Sequence, residues 1–538
     1  MKKYVFLTGA TGLLGRYLVR DLLLAGERVA ILVRRTKKES PRQRLENLLQ
    51  HWERELGHAL PRPVCLEGDI GHDLLALDTV QLRWIAEHCD RVLHNAASIT
   101  FDGDSRDGEP WRTNVDGTHN LLQICRELGL RQMHYVSTAY VCGERDTLVM
   151  EDDLNCGQTF RNAYEESKLQ AEQIVRGADF LDHLTVYRPA VIAGDSQTGY
   201  TSTYHGLYMY LKLMAVLVRN LEPDADGMRQ VPMRMNVGGD EPRNIVPVDW
   251  VSAVISHILC TPAAHDRTYH LTPHKAITTR QIIDYTGTYL NSGGVQYVGR
   301  DALDDDMTNS FEQSIYESTT MYDSYNATDP QLDTTNLRKF VSHLPCPPID
   351  EEMIHLFMRF GDEDRWGKRR TPVAPVGQWA EELLLRSHEE DSGENGTPKY
   401  KSTAEANHEP CCLIGFDVLG PGGGQWYARL TDDGRLDWTV GLLDENSPVL
   451  QIESRDLTHL IHGNALALGE LIERHLNTRE VTVASDLAAR LARALQRSAR
   501  ALRRSISDAP TMMAPANGEV VAGEVVESFA TADDDVPL

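Results

Sequence analysis

The chain has 538 residues, a formal net charge of −25 and 41% hydrophobic residues, enough for several domains of about 150 residues each. So acidic a balance excludes non-specific nucleic-acid binding, which needs a basic face to displace counterions from phosphates. Nine scattered cysteines without metal-ligand spacing or a paired framework argue against a disulfide scaffold or a metal site, and fit a reducing, cytoplasmic location.

The first element is a strand, Lys3 to Thr8, that runs straight into Gly9-Ala10-Thr11-Gly12-Leu13-Leu14-Gly15. A Gly-x-x-Gly-x-x-Gly turn between strand and helix binds phosphate. One glycine allows the reversal, one lets backbone N–H groups approach a pyrophosphate, and one packs helix on strand. The helix from Leu13 to Leu24 aims its positive end at that site. No signal peptide is read at Met1-Lys2-Lys3, because the glycine turn follows at once. A second strand, Arg28 to Val33, ends in Arg34-Arg35, where an NAD-binding chain carries an acid about 20 residues beyond the turn. Guanidinium groups suit the 2′-phosphate of NADP, so NADP(H) is the expected cofactor.

A charged, helical insertion is expected over Thr36 to Leu60. A third strand from Val64 brings Asp69 and Ile70 beside an adenine, and a fourth, Arg91 to Ala97, ends in Asn95-Ala96-Ala97, small enough for a cofactor to pass. A fifth, Met133 to Gly143, places Ser137 and Thr138 near its carboxyl end. Then comes Tyr164-Glu165-Glu166-Ser167-Lys168. Residues four apart share a helix face, so the Lys168 charge is expected beneath Tyr164, favouring the phenolate. Such a phenol gives a proton to a carbonyl oxygen as hydride arrives, and Thr138 can hold that oxygen. Alternating strands and helices call for an α/β fold with a doubly wound parallel sheet, Rossmann-like.

These residues resemble an extended short-chain dehydrogenase/reductase, through Thr8 to Gly15, Asn95-Ala96-Ala97, Asn114-Val115-Asp116-Gly117-Thr118, Ser137 to Gly143, Tyr164 to Lys168 and Tyr187-Arg188-Pro189. Arg188 to Gly199 and Asn244 to Val251 resemble the fatty acyl-CoA reductase and thioester reductase branch. The resemblance implies Thr138, Tyr164 and Lys168 as catalytic residues, with Ser137 in reserve. It adds Asn114 to a lysine-linked water relay, although an asparagine near a helix start is as readily a cap. It places Tyr164, Lys168, Arg188 and Pro189 at the cofactor with Gly9, Thr11, Gly12, Leu13, Leu14, Gly15, Arg34, Arg35, Asp69, Ile70, Asn95, Ala96 and Ala97. The implied reaction is NADPH-dependent reduction of a long acyl thioester, on CoA or an acyl-carrier protein, to an aldehyde or alcohol. With neither an adenylation region nor a carrier site read, the thioester is expected in trans. Alternatives are a sterol-like alcohol or ketone dehydrogenase, a nucleotide-sugar epimerase and a non-catalytic lipid-binding protein.

Residues 1–365 are expected to form this reductase, its substrate part mainly 190–235 and 270–360. Within it, Thr201 to Asn220 is apolar around most of a helix, which demands burial against the sheet, an acyl tunnel or a peripheral membrane contact; Lys212 interrupts it and it is too short to span a bilayer. Asp304-Asp305-Asp306 lacks the spacing of an EF-hand and reads as a solvated loop. Residues 366–409 read as a linker, 410–504 as a smaller α+β domain and 505–538 as an acidic, disordered tail. The α+β part resembles sterol-carrier-protein-like lipid-binding modules through Gln425-Trp426-Tyr427, Asp432-Asp433-Gly434 and Leu460-Ile461-His462-Gly463, which implies a lipid ligand; homodimerisation is the other role open to it.

Overall fold

The computed structural model describes residues 3–101, 103, 105–299, 309–319, 328–369, 413–430, 436–442, 449–457 and short stretches between 467 and 496. The Asp304 to Asp306 patch, residues 370–409 of the expected linker, the Thr431 to Arg435 hairpin and the 505–538 tail lie outside the described residues. Two compact units are present, one of Lys3–Leu48 with Cys65–Val373, the other of Met1–Lys2, Leu49–Val64 and Ala374–Leu538.

The larger unit is built on seven strands: β1 (Tyr4–Thr8), β2 (Arg28–Val33), β3 (Val64–Glu67), β4 (Cys89–His94), β5 (Gln132–Val136), β6 (His183–Pro189) and β7 (Thr268–Leu271). Their spatial order is β3-β2-β1-β4-β5-β6-β7. Leu7 pairs in parallel with Ile31 on one side and Leu93 on the other, and Tyr135 pairs with Val186. Every residue of β1 is buried, so this run reads as continuously apolar rather than alternating. The winding direction reverses between β1 and β4, and the crevice outside the carboxyl ends at that reversal is where such sheets take ligands. Helices α1 (Leu13–Leu24), α2 (Pro41–Leu56), α3 (Thr79–His88), α4 (Gly117–Leu128) and α5 (Ala163–Arg176) supply the crossovers.

Three strands stop short of their expected ends. Asp69, Asn95 and Ser137 each lie just past a strand: the Asp69 and Asn95 N–H groups turn to Leu75 O at 2.8 Å and Thr8 Oγ1 at 3.2 Å, while Ser137 N makes the last bond to β6, to Tyr187 O at 2.7 Å. All three therefore sit on loops at the crevice.

The remaining helices are α6 (Leu207–Arg219), α7 (Val248–Leu259), α8 (Thr279–Leu290), α9 (Ser310–Thr319), α10 (Thr335–Val341) and α11 (Glu351–Glu363). The greasy segment forms α6, and its cover is mostly helical rather than the sheet. Leu211, Met214 and Val218 share a core with Ile282 of α8, Ile315 of α9 and Phe357 of α11. Apolar residues on most of its circumference thus meet three helices, with Val216 left exposed.

The smaller unit carries a four-stranded sheet of β8 (Leu413–Leu419), β9 (Gly424–Leu430), β10 (Leu436–Val440) and β11 (Val449–Glu453), in the order β10-β9-β8-β11. The first two pairings are antiparallel and β8–β11 is parallel. Described helical residues follow, with Leu491 and Leu495 buried, which agrees with strands then helices in an α+β domain. Among the described residues no helix is long and apolar enough to cross a membrane.

Candidate active site

The glycine turn is a cradle that side chains cannot fill. Gly9 has φ +72°, and a Cβ there would stand 2.6 Å from Ala96 N; at Gly15 it would stand 2.0 Å from Gly9 O. Gly12 caps α1 with no side-chain acceptor, so the first N–H groups of that helix are left for an anion. The cradle wall is pinned from β1: Thr8 Oγ1 accepts from the amides of Asn95 and Ala96, each at 3.2 Å, and Asn95 Nδ2 donates to Gly9 O at 3.1 Å. A dinucleotide pyrophosphate fits this donor set. Asn95, Ala96 and Ala97 are therefore at the turn, as are Thr11, Leu13 and Leu14 by sequence.

At the end of β2 the two arginines diverge. Arg35 grips Glu67 with two bonds of 2.6 and 2.9 Å and is 61% exposed, whereas Arg34 has only Asp69 Oδ2 at 3.8 Å. A third arginine joins them. Arg44 of α2 donates to Arg34 O at 2.9 Å and to Thr11 Oγ1 at 2.7 Å, bridging strand end and glycine turn. Burial and the neighbouring charges of Arg34 and Arg16 lower its pKa, the mark of a cation cluster suited to an added anion. Sequence reading missed Arg44, because an arginine in a charged amphipathic helix looks like a solvated face. The available signal was Pro41 at the first helical position, which starts α2 there and puts residue 44 in its first turn. Past β3, Asp69 Oδ1 accepts from Gly71 N at 2.9 Å, and Ile70 is buried with its carbonyl bonded to Asn120.

Beyond β5, Thr138 begins a tight turn, Ala139–Cys142, and its hydroxyl accepts from Tyr140 N at 3.3 Å. The turn is fastened from outside by residues 329–333. Tyr140 Oη donates to Asp329 Oδ2 at 2.9 Å, the same oxygen accepts from Asn244 N at 2.6 Å, and Val149 exchanges backbone bonds with Gln331 and Asp333 at 2.9 Å each. Tyr164 stands in the first turn of α5, whose start is set by Asn162 capping Glu165 N at 3.0 Å. Burial pushes the Tyr164 phenol up to about 12, opposed by a hydrogen bond from Thr138. The phenol is thus protonated at neutral pH. The Phe101 ring lies 6.0 Å from it.

Lys168 is fully enclosed and reaches β5. Its ammonium donates to Val136 O at 2.8 Å and Tyr135 Oη at 3.1 Å. Desolvation lowers it to about 7, with Glu172 acting the other way. Asn114 occupies a π-helical turn, Arg112–Asp116, a distortion common at functional sites. Its side chain joins Ser98 N at 2.8 Å, Ser98 O at 3.0 Å and Ser167 Oγ at 2.9 Å, so it braces α5 and is not a simple cap.

Two expected residues stand apart from the reacting centre. Ser137 Oγ donates to Glu172 at 2.6 Å, and the buried Arg188 guanidinium is engaged by Glu172 at 2.7 and 3.1 Å. Both brace β6 against α5. Pro189 closes β6, paired with Leu271. Among the described residues no His, Cys, Asp or Glu cluster could hold a metal.

Residues 7–255 match the family model described as Male sterility protein, an NAD-binding type. This part of the chain is an NAD(P)-dependent oxidoreductase domain, similar to extended short-chain reductases of the thioester reductase branch. The chain is 26% identical to aldehyde reductase lnaA of Aspergillus flavus over 394 residues, 66% of this chain and 36% of that protein. It is 28% identical over 286 residues to nonribosomal peptide synthetase asaC of the same species, 50% of this chain and 26% of that one. The chain thus spans about a quarter to a third of the length of these relatives. In fold it is similar to the terminal R domain of the myxalamid PKS-NRPS pathway, with TM-score 0.55, 24% identity, 69% of this chain and 93% of that one covered.

Proposed function

We propose that the larger unit reduces an acyl thioester to an aldehyde with NADPH, the thioester being presented by CoA or an acyl-carrier protein. The observation that carries this is the pairing of the Tyr164 hydroxyl, in the first turn of α5, with that of Thr138, just past β5, at the same sheet edge as the glycine cradle. When bound, NADPH supplies hydride to the carbonyl carbon. Tyr164, protonated below about 12, gives its proton to the carbonyl oxygen, and Thr138 stabilises the charge developing there. The thiol leaves, and aldehyde, free thiol and oxidised cofactor balance the step. Lys168 sets the positive potential at the edge, and Asn114 holds α5 in register with it.

NADP over NAD is supported by the Arg34–Arg44 pair, since a half-buried, mutually repelling arginine pair gains most from a 2′-phosphate. Carrier presentation is supported by the name of asaC, a nonribosomal peptide synthetase. A long acyl chain, continuation to an alcohol, the lipid role of residues 410–504 and a homodimer rest on the sequence resemblance and reading alone. A cytoplasmic site accords with seven described cysteines, all unpaired.

The test is NADPH oxidation followed by absorbance against a panel of acyl-CoAs, acyl-carrier thioesters, sterols and nucleotide sugars, with Tyr164→Phe as the blank. Thioester-dependent oxidation that disappears in the variant is expected. Inert thioesters beside a turned-over alcohol, ketone or nucleotide sugar would overturn the assignment.

A further inference from the structure

Lys168 is surrounded by groups that do not neutralise it. On its own helix, Glu172 is the nearest carboxylate one turn on, but its oxygens are taken by Arg188 at 2.7 Å, Arg176 at 2.8 Å and Ser137 at 2.6 Å. Glu165, also on α5, is paired with Arg161 at 3.3 Å, and Tyr164 is a protonated phenol. From β4 comes His94, which is buried, hydrogen bonded to Thr8 at 2.7 Å and Thr118 at 3.1 Å, and kept neutral at about 3 by burial and by the Lys168 charge. From β6, Arg188 adds a like charge behind Glu172.

What remains is β5. An ammonium has three N–H donors, and two are met there, by Val136 O and by the Tyr135 phenol, whose ring centroid is also 4.7 Å from the nitrogen. The backbone carbonyl is fixed by the fold, whereas the phenol is a choice of side chain. Tyr135 itself is 1% exposed, its ring tilted against His94 at 5.5 Å, and held protonated well above the ordinary tyrosine range by burial and the Glu172 charge.

We propose that Tyr135 is a positioning residue for the reductase, its phenolic oxygen holding the Lys168 amine charged and aimed along the edge of the sheet. The inference rests on the reading that Lys168 serves NADPH chemistry. Lys168 already lies at about 7 through desolvation, so removing an acceptor disfavours the ammonium further and moves its titration to lower pH.

The experiment compares pH profiles of wild type, Tyr135→Phe and Tyr135→Leu, read as kcat/KM and, independently of any acyl substrate, as NADPH affinity by fluorescence. Tyr269→Phe is the comparator. It deletes an equally buried hydroxyl, one bonded to Ala264 O at 2.5 Å and far along the sheet in β7. In wild type both quantities are expected to fall on an alkaline limb near 7, where Lys168 loses its proton. In Tyr135→Phe the limb moves acidward by about one unit, so that binding at pH 8 weakens about tenfold and at pH 5.5 changes little. Tyr135→Leu, lacking the ring as well, moves it at least as far, and Tyr269→Phe lowers Tm without moving it. A limb unmoved in a folded Tyr135 variant overturns the proposal. Loss of a cooperative melt in both Tyr135 variants does so as well, since that makes the residue part of the core only. If thioesters fail to react but the NADPH-binding limb shifts, the substrate reading falls and this inference stands.

Discussion

Replacing Arg44 by alanine removes two bonds, 2.9 Å to Arg34 O and 2.7 Å to Thr11 Oγ1, and one positive charge from the end of β2. With a 2′-phosphate present, the loss is that of a charge-assisted bond in a half-buried place, about 1.5–3 kcal/mol, or roughly tenfold to 150-fold in NADPH affinity. NADH, lacking the phosphate, should lose much less. The NADPH preference therefore narrows by most of that factor. Arg35→Ala provides the contrast: its guanidinium is 61% exposed and already gripped by Glu67, a pair screened by water and salt, so its loss should matter least. The assay is dissociation constants for both cofactors by fluorescence at two ionic strengths. If Arg35→Ala costs more than Arg44→Ala, the assignment of the phosphate site is wrong. If Arg44→Ala weakens NADH as much as NADPH, the residue acts through Thr11 on the pyrophosphate turn instead.

Tyr164→Phe should lower kcat by about 10²–10⁴ while NADPH affinity holds, as expected for a lost proton donor; a parallel loss of binding would make the hydroxyl part of the cofactor site instead. Gly15→Ala should abolish dinucleotide binding and lower Tm, because the new Cβ meets Gly9 O at 2.0 Å, whereas at Gly12 the nearest such atom is 3.6 Å away and alanine should fold. Equal melting curves for the two would remove the steric argument. His94 is depressed to about 3 when folded, so its contribution is complete above the unfolded value near 6.5 and is lost as pH falls towards 3; His134, lowered in the same sense, adds to it. Tm should decline from pH 6.5 to 4.5, less steeply in His94→Asn, and a flat wild-type profile over that range would contradict both assignments.

The fold was legible where chemistry is local. The Gly9 to Gly15 turn, the alternation of strands and helices and the Tyr164–Lys168 spacing all lie within a few turns of chain, and the strands appeared in the order read. Side-chain direction across elements was not legible. Lys168 and Tyr164 share a face by spacing, but the acceptors that hold the ammonium lie on β5, over thirty residues earlier, and spacing along the helix does not name them. Arg188 sits in a cofactor motif by sequence, and the buried Glu172 of α5 claims it. Arg44 was hidden for the converse reason: its partners, Thr11 and Arg34, are brought to it only by the parallel crossover. The cover of α6 was likewise misplaced onto the sheet, since amphipathicity tells that a helix is covered and never by what.

The fastening of the Thr138 turn by Asp329 has a mechanical side. Asp329 is a buried carboxylate shared between Tyr140, two residues beyond Thr138, and the amide of Asn244 beside the short strand Ile245–Pro247. Three distant parts of the chain thus meet at one oxygen atom. Sliding any of them by an ångström strands either a phenol or an amide without a partner in a dry environment. The hydroxyl proposed to hold the substrate oxygen therefore behaves less like the tip of a loop than like a tooth on a gear train. Its alignment is inherited from segments that carry none of the proposed reacting groups.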